Sequence, residues 1–109
     1  MNLTIKPLEN FKKEVKKLSK KYKQIGNDLQ KLQEELYQNP KFGIDLGHNC
    51  FKIRLAKSSI PTGKSAGFRV IYYYIDTKGV IYLMSIYSKN DLETIKEKKI
   101  IKLIIQNGL

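Results

Sequence analysis

The apolar residues between Leu8 and Ile25 recur three or four positions apart along the chain. This spacing places them on one face of an amphipathic helix. The segment Gly26–Asp28 predicts the end of this helix and the N-cap of a second helix. The second helix carries leucines over 29–36 and ends at Asn39-Pro40. Because the link between them is short, we expect a helical hairpin.

Beyond residue 41 the apolar period shortens to two, which is typical of strands. In Cys50–Ala56, Lys52 and Arg54 lie on one face and apolar residues on the other, which predicts a half-buried strand. The segments Phe68–Ile75 and Val80–Tyr87 are apolar on both faces and should be covered on both sides. Phe42–Leu46 is either a short extra strand or a linker.

Three shorter signals complete the order of elements. Leu3 and Ile5 alternate with polar residues before Pro7, which predicts a short edge strand. Asp76–Gly79 has the composition of a hairpin turn. Asn90 followed by Glu93 matches a capping box and predicts that the last helix opens there.

The order β-α-α-β-β-β-α indicates one α+β domain over residues 1–109. We expect the N-terminal strand and helical hairpin to pack on one face of a small antiparallel sheet, followed by a C-terminal helix.

The chain is strongly basic, with a formal net charge of +11 over 109 residues. Two zones carry the excess: residues 6–23 hold eight lysines against two glutamates, and residues 51–70 hold five cations and no acid. Such a balance predicts a polyanionic or acidic partner. One cysteine, no signal-peptide pattern and no long apolar run predict a cytoplasmic protein without a membrane partner.

Four cations are expected to line one concave surface. Lys52 and Arg54 share a strand face because side chains alternate with period two. If the next strand pairs as a hairpin, Arg69 comes within reach of them, and Lys89 lies just past the final strand. Two more cations of the intervening loop, Lys57 and Lys64, are predicted RNA contacts.

Conventional catalytic motifs are missing from the sequence, which has no zinc-protease helix, no nucleophile elbow and no complete phosphate loop. The pattern around His48 favours a turn residue over a general base. Cys50 is expected to be a small buried side chain and not a nucleophile. We therefore predict no metal and no cofactor.

Any catalysis then depends on the cations themselves. Neighbouring positive charges disfavour protonation of a lysine, which suits Lys52 as a base for a ribose 2′-hydroxyl. Arg54 and Arg69 would hold the phosphate through their planar guanidinium groups. Lys89 or Tyr87 would protonate or stabilise the leaving oxygen. Tyr87 is also the best candidate among the tyrosines for stacking on an unpaired base. A basic surface that only binds RNA fits the pattern equally well.

Three segments resemble the RelE/HigB group of bacterial toxins: 50–55, 63–73 and 81–89. The most specific match is Gly-Lys-x-x-Gly-x-Arg-Val-Ile-Tyr-Tyr at 63–73, and the resemblance is strongest to the HigB-like branch. It covers residues 42–95 well, whereas the helical hairpin matches in order and length only.

The resemblance implies the toxin of a toxin–antitoxin module, an endoribonuclease that cuts mRNA on the ribosome without a metal. The family's cations fall on Lys52, Arg54, Arg69 and Lys89. Its later tyrosine falls near Ile95, so that position is vacant here and Tyr87 is the candidate substitute. A cognate acidic antitoxin, of helix-turn-helix type, is the implied partner. Two alternatives stay open: a non-catalytic toxin of the same superfamily that inhibits DNA gyrase, and a simple basic RNA-binding module.

Overall fold

The computed structural model describes residues 2–59, 66–92 and 94–109. Within these ranges the chain forms three α-helices and one five-stranded sheet, in the α+β arrangement expected from the sequence. The elements are β1 Thr4–Pro7, α1 Glu9–Ser19, α2 Ile25–Gln38, β2 Ile44–Gly47, β3 Cys50–Leu55, β4 Phe68–Ile75, β5 Val80–Ser88 and α3 Glu97–Gln106.

The strands lie side by side in the order β1-β5-β4-β3-β2. Four of them pair antiparallel, as expected, but β1 runs parallel to β5, so the sheet is mixed. The edge strand predicted before Pro7 is confirmed. Most of the segment Phe42–Leu46, for which the sequence allowed a strand or a linker, belongs to strand β2, which pairs with β3.

Helices cover both faces of the sheet. On one face α1 and α2 enclose the first core, whose buried residues include Phe11, Leu32, Leu36, Phe51, Ile53, Phe68, Tyr72 and Leu83. On the other face α3 packs on the second core, formed by Cys50, Ile71, Met84, Tyr87, Ile95, Ile100 and Leu103. This second layer explains why the central strands are apolar on both sides.

The break between α1 and α2 lies earlier than the sequence suggests. Helix α1 ends at Ser19, and Gly26–Asp28 belong to α2. The chain turns between the two helices, but Tyr22 and Ile25 are still buried in the first core. The apolar stripe therefore continues across the break. Asp28 does not cap α2. Its buried carboxylate accepts hydrogen bonds from the backbone N–H and hydroxyl of Ser58.

Helix α3 also begins later than predicted, at Glu97 and not at Asn90. Asp91 and Leu92 donate their backbone N–H groups to the carbonyl of Ser88, which forms a turn at this point. The second member of the predicted capping box, Glu93, lies outside the described residues.

Two hairpin turns match the expectation. His48 and Asn49 have φ angles of 54° and 62° between β2 and β3, as in a two-residue type I′ turn. Gly79 has a φ of 61° after the short 3₁₀ turn Asp76–Lys78. These turns fix the register of the antiparallel strands, and therefore which side chains share a face.

Candidate active site

Three of the predicted site residues form one row across the sheet. Arg54 of β3 lies opposite Arg69 of β4, and Arg69 lies opposite Tyr87 of β5. Residues that oppose each other in an antiparallel pair share a face, with Cα atoms about 4.5–5.5 Å apart. The sequence predicted that Arg69 would come within reach of Lys52 or Arg54, and the register confirms it for Arg54.

Lys52 lies on the same face, two residues before Arg54 on β3 and opposite Ile71. It is half-buried, whereas Arg54 is exposed. Within the described part of the chain, neither side chain has a hydrogen-bond or ion-pair partner. Both cations project from a rigid strand, so their charges are fixed in place without a neutralising carboxylate.

Arg69 is the deepest of these cations, with 5% of its surface exposed. One of its guanidinium N–H groups donates to the carbonyl oxygen of Phe68 at 3.4 Å. Burial, and then the charge of Arg54, lower the pKa of the Arg69 guanidinium, while the electrostatic effect of Tyr87 opposes that shift. Like charges directly opposite each other in a sheet are destabilising, so the Arg54–Arg69 pair is a costly arrangement of cations.

Tyr87 is only 7% exposed and packs in the second core. Its hydroxyl oxygen accepts the backbone N–H of Ile95 at 3.2 Å. The expectation that Tyr87 stacks on an unpaired base is therefore wrong in this conformation, because its ring faces the core. Ile95, at the position of the family's later tyrosine, is itself buried in that core.

Lys89 directly follows β5 and is partly buried. Its backbone N–H donates to the carbonyl of Gly67 at 3.1 Å, which ties the end of β5 to the entry of β4. A Cβ atom on Gly67 would collide with the carbonyl oxygen of Leu55, so only glycine fits this close approach. This contact places Lys89 at the same end of the sheet as Arg54 and Arg69.

Lys57, one of the two cations predicted to contact RNA from the loop, does not join this row. Lys57 is buried, at 2% exposure, so its predicted position on an exposed loop is wrong. Its ammonium donates to Ser88 Oγ at 2.6 Å and to the Tyr22 hydroxyl at 3.2 Å, and it lies 4.5 Å from the Tyr22 ring centroid. These hydrogen bonds and the cation–π contact replace the water that Lys57 loses. Lys64 lies outside the described residues.

His48 and Cys50 have the positions expected from the sequence. His48 lies in the β2–β3 turn, where its Nε2 is 3.4 Å from Glu97 Oε1. Cys50 is fully buried, and burial raises the pKa of its thiol to about 11, with a further contribution from Asp45. A thiol with so high a pKa is a poor nucleophile at neutral pH.

A pocket of about 180 Å³ lies beside Lys52, and no pattern in the sequence indicated it. It lies between the β2–β3 turn and the beginning of α3, and its lining includes Leu46, His48, Lys52, Ile95, Glu97 and Ile100. We call it the turn pocket. The alternation in β3 did identify Lys52 as a candidate residue. Because the last helix was predicted to begin at Asn90 and not at Glu97, the sequence did not show that Glu97 comes close to His48 in this pocket.

The described residues contain no group of three or more histidine, cysteine, aspartate or glutamate side chains that could hold a metal ion. No helix among them is long and apolar enough to cross a bilayer.

No family model matches the sequence, but solved structures resemble the fold. A variant of the E. coli toxin RelE in the free state is 25% identical, with a TM-score of 0.60 over 85% of this chain and 90% of RelE. In the intact E. coli RelBE toxin–antitoxin complex, the matched chain is 26% identical, with a TM-score of 0.59 over 80% of this chain and 96% of that one. The isolated E. coli RelE toxin is 22% identical, with a TM-score of 0.59 over 99% of this chain and all of that one.

These likenesses extend over nearly the whole length of RelE and include the helical hairpin, for which the sequence offered only order and length. Of the segments 50–55, 63–73 and 81–89, the described residues include strand β3, most of β4 and β5, and the opposed Arg54 and Arg69, which we call the cationic row. The fold of this chain is therefore similar to that of the RelE toxin.

Proposed function

We propose that this protein is the toxin of a toxin–antitoxin module and acts as a metal-independent endoribonuclease on mRNA at the ribosome. The observation that carries the proposal is the Arg54–Arg69 pair, which shares one face of the sheet with Lys52. Two guanidinium groups held side by side are suited to a phosphodiester, because each planar fork can bind phosphate oxygens bidentately.

The electrostatics favour the transition state over the bound substrate. As the ribose oxygen attacks phosphorus, negative charge accumulates on the equatorial phosphate oxygens. Cations that are already fixed by strands β3 and β4 stabilise this charge without reorganising, which is the most effective form of electrostatic catalysis. Arg69 is largely desolvated, so its interaction with a bound anion is weakened less by water than that of a surface lysine.

The reaction is an attack by the substrate's own 2′-hydroxyl. Lys52 acts as the base that takes the 2′-hydroxyl proton, and the 2′-oxygen forms a bond to the adjacent phosphorus. The bond from phosphorus to the 5′-oxygen of the next nucleotide breaks, and that oxygen takes a proton from Lys89. The products are a 2′,3′-cyclic phosphate and a 5′-hydroxyl end. DNA lacks the nucleophile and is not a substrate.

The same charges call for a protein inhibitor. A formal net charge of +11 predicts an acidic partner that covers or distorts the cationic row. The structural neighbours include RelE with its antitoxin RelB and a RelE variant with a RelB peptide. We infer a cognate acidic antitoxin of helix-turn-helix type. Co-expression with the neighbouring gene, followed by affinity purification, tests this directly.

The test of activity combines growth with mapping of mRNA ends. Induction of the wild-type chain should arrest growth and create new 5′ ends in translated mRNA. Purified toxin should cut the same message on ribosomes, and a 2′-deoxy nucleotide before the scissile bond should abolish that cut. Arg54→Ala and Arg69→Ala should each lower the cleavage rate about 10²–10³-fold, as loss of one transition-state donor does elsewhere.

Lys17→Ala is the matched control, because Lys17 is an exposed cation on α1, and it should retain full activity. Far-UV circular dichroism and thermal melting establish that each variant is folded. Folded arginine variants with unchanged toxicity would overturn the assigned site. Growth arrest without new 5′ ends, but with inhibited DNA supercoiling, would identify a gyrase inhibitor. Salt-dependent RNA binding without any product would leave only a binding module.

A further inference from the structure

The turn pocket has the construction of a small-ligand site. Apolar side chains of Leu46, Ile95 and Ile100 contribute to its lining, together with the polar groups of His48 and Glu97. Its volume of about 180 Å³ is below the ~300–1,000 Å³ typical of drug-sized ligands. A single flat ring system therefore suits it better than a dinucleotide.

Lys52 connects this pocket to the cationic row. It lines the pocket and lies on β3 two residues from Arg54, on the same face. In the proposed reaction Lys52 meets the ribose that carries the attacking 2′-hydroxyl. The base of that same nucleotide is attached to the neighbouring carbon of the sugar, so it must lie close to Lys52 on one side or the other.

We propose that the turn pocket is a nucleobase subsite for the nucleotide on the 5′ side of the cleaved bond, and that it selects a base with amino and imino donors, guanine above all. This inference rests on the proposed function for its assignment to a cleavage position. It goes beyond that function in naming the residues that determine base preference, which are His48 and Glu97.

The chemistry of the rim supports this choice. A carboxylate accepts hydrogen bonds and donates none, so Glu97 matches the adjacent N–H groups on the Watson–Crick edge of guanine. Uracil presents one N–H between two carbonyl oxygens, which a carboxylate repels. The His48 imidazole offers a flat face for stacking on a base. The contact of 3.4 Å between His48 Nε2 and Glu97 Oε1 holds the two groups side by side.

The first experiment measures binding without cleavage. We would titrate the full chain with guanosine 3′-monophosphate and with uridine 3′-monophosphate while following backbone amide resonances by NMR. The guanine nucleotide should shift the amides of 46–48 and 95–97 and bind about tenfold more tightly than the uracil nucleotide. Equal affinities, or shifts confined to Arg54 and Arg69, would overturn the subsite.

The second experiment uses variants that keep the backbone intact. Glu97→Gln retains the shape but adds a donor, so the preference for guanine over uracil should fall about tenfold, both in binding and in the bases found before mapped cleavage sites. His48→Asn is compatible with the left-handed conformation of the turn. It should weaken the binding of both nucleotides several-fold, because the imidazole face is lost. Lys98→Gln is the control, because Lys98 lies on α3 but lines a different pocket.

The two experiments separate the two proposals. If the wild type binds the guanine nucleotide more tightly than the uracil nucleotide and Glu97→Gln abolishes this difference, the subsite is supported even if the protein cleaves no RNA. Cleavage with the same base distribution in the wild type, Glu97→Gln and His48→Asn overturns the subsite and leaves the proposed function standing.

Discussion

The two faces of the sheet are built differently, although the same strands form both. On the face under α1 and α2 the first core is continuous from β3 to β5, and its buried members are almost all apolar. On the other face the second core occupies only the part under α3. The same face carries Lys52, Arg54 and Arg69, of which Arg54 is exposed, Lys52 half-buried and Arg69 buried. The site therefore lies on the face whose apolar core is smaller and is interrupted by cations.

Two lysines close together in sequence illustrate the difference. Lys57 lies at the end of the first face and is buried against Tyr22, Ser88 and Phe68. Lys52 lies on the other face, is half-buried, and lines the turn pocket. The ammonium of Lys57 is engaged by neutral groups of the fold, whereas the side-chain nitrogen of Lys52 has no such partner among the described residues. A lysine's role here depends on the face from which it projects.

The largest expected effect comes from exchanging each lysine for methionine, which has a similar length but no charge. Lys52→Met should lower RNA cleavage by about 10²–10⁴-fold, because a general base is lost. Lys57→Met should change cleavage by less than about threefold, since it replaces a buried cation with an apolar side chain of similar shape. Rates come from single-turnover cleavage of ribosome-bound mRNA. Equal losses in the two variants would refute the distinction between the faces.

The next effect concerns the stability of the continuous core. Leu36, on α2, is fully buried in the first core, so Leu36→Ala should lower the free energy of unfolding by about 2–5 kcal/mol. Ile105 is 73% exposed on α3, and Ile105→Ala should change it by no more than about 0.5 kcal/mol. Chemical denaturation monitored by circular dichroism provides both values. A larger loss for Ile105→Ala would mean that α3 buries more surface in solution than described.

The smallest effect is a pH dependence specific to the second core. Because the pKa of the Cys50 thiol is raised from 9.0 to about 11, its protonated form is favoured in the folded state. The contribution of this thiol to the free energy of unfolding is complete below pH 9. It is lost as the pH rises towards 11, by on the order of 1.4 kcal/mol for each pH unit. Cys50→Ala should therefore show a shallower fall in stability over this window. Parallel curves for the two proteins would contradict the assignment, whatever the absolute cost of the substitution.

Much of the fold could be predicted from the sequence, because local periodicity determines which face of each strand or helix is apolar. The alternation in β3 placed Lys52 and Arg54 together, and the assumed antiparallel pairing with the next strand placed Arg69 within reach of them. Helix ends were less predictable. The break at Ser19 and the start at Glu97 depend on burial of Tyr22 and Ile95, and these are long-range contacts that a local pattern does not encode.

The sequence by itself determined the element types, the basic character and the strand cations, since each follows from residue spacing within a few positions. Only the tertiary structure decided which cations remain accessible. It buried Lys57 and Tyr87, set Arg54 opposite Arg69, and brought Glu97 to the turn beside His48. The physical reason is that burial and charge proximity depend on which elements pack together, and that packing is set by the whole chain and not by any one segment.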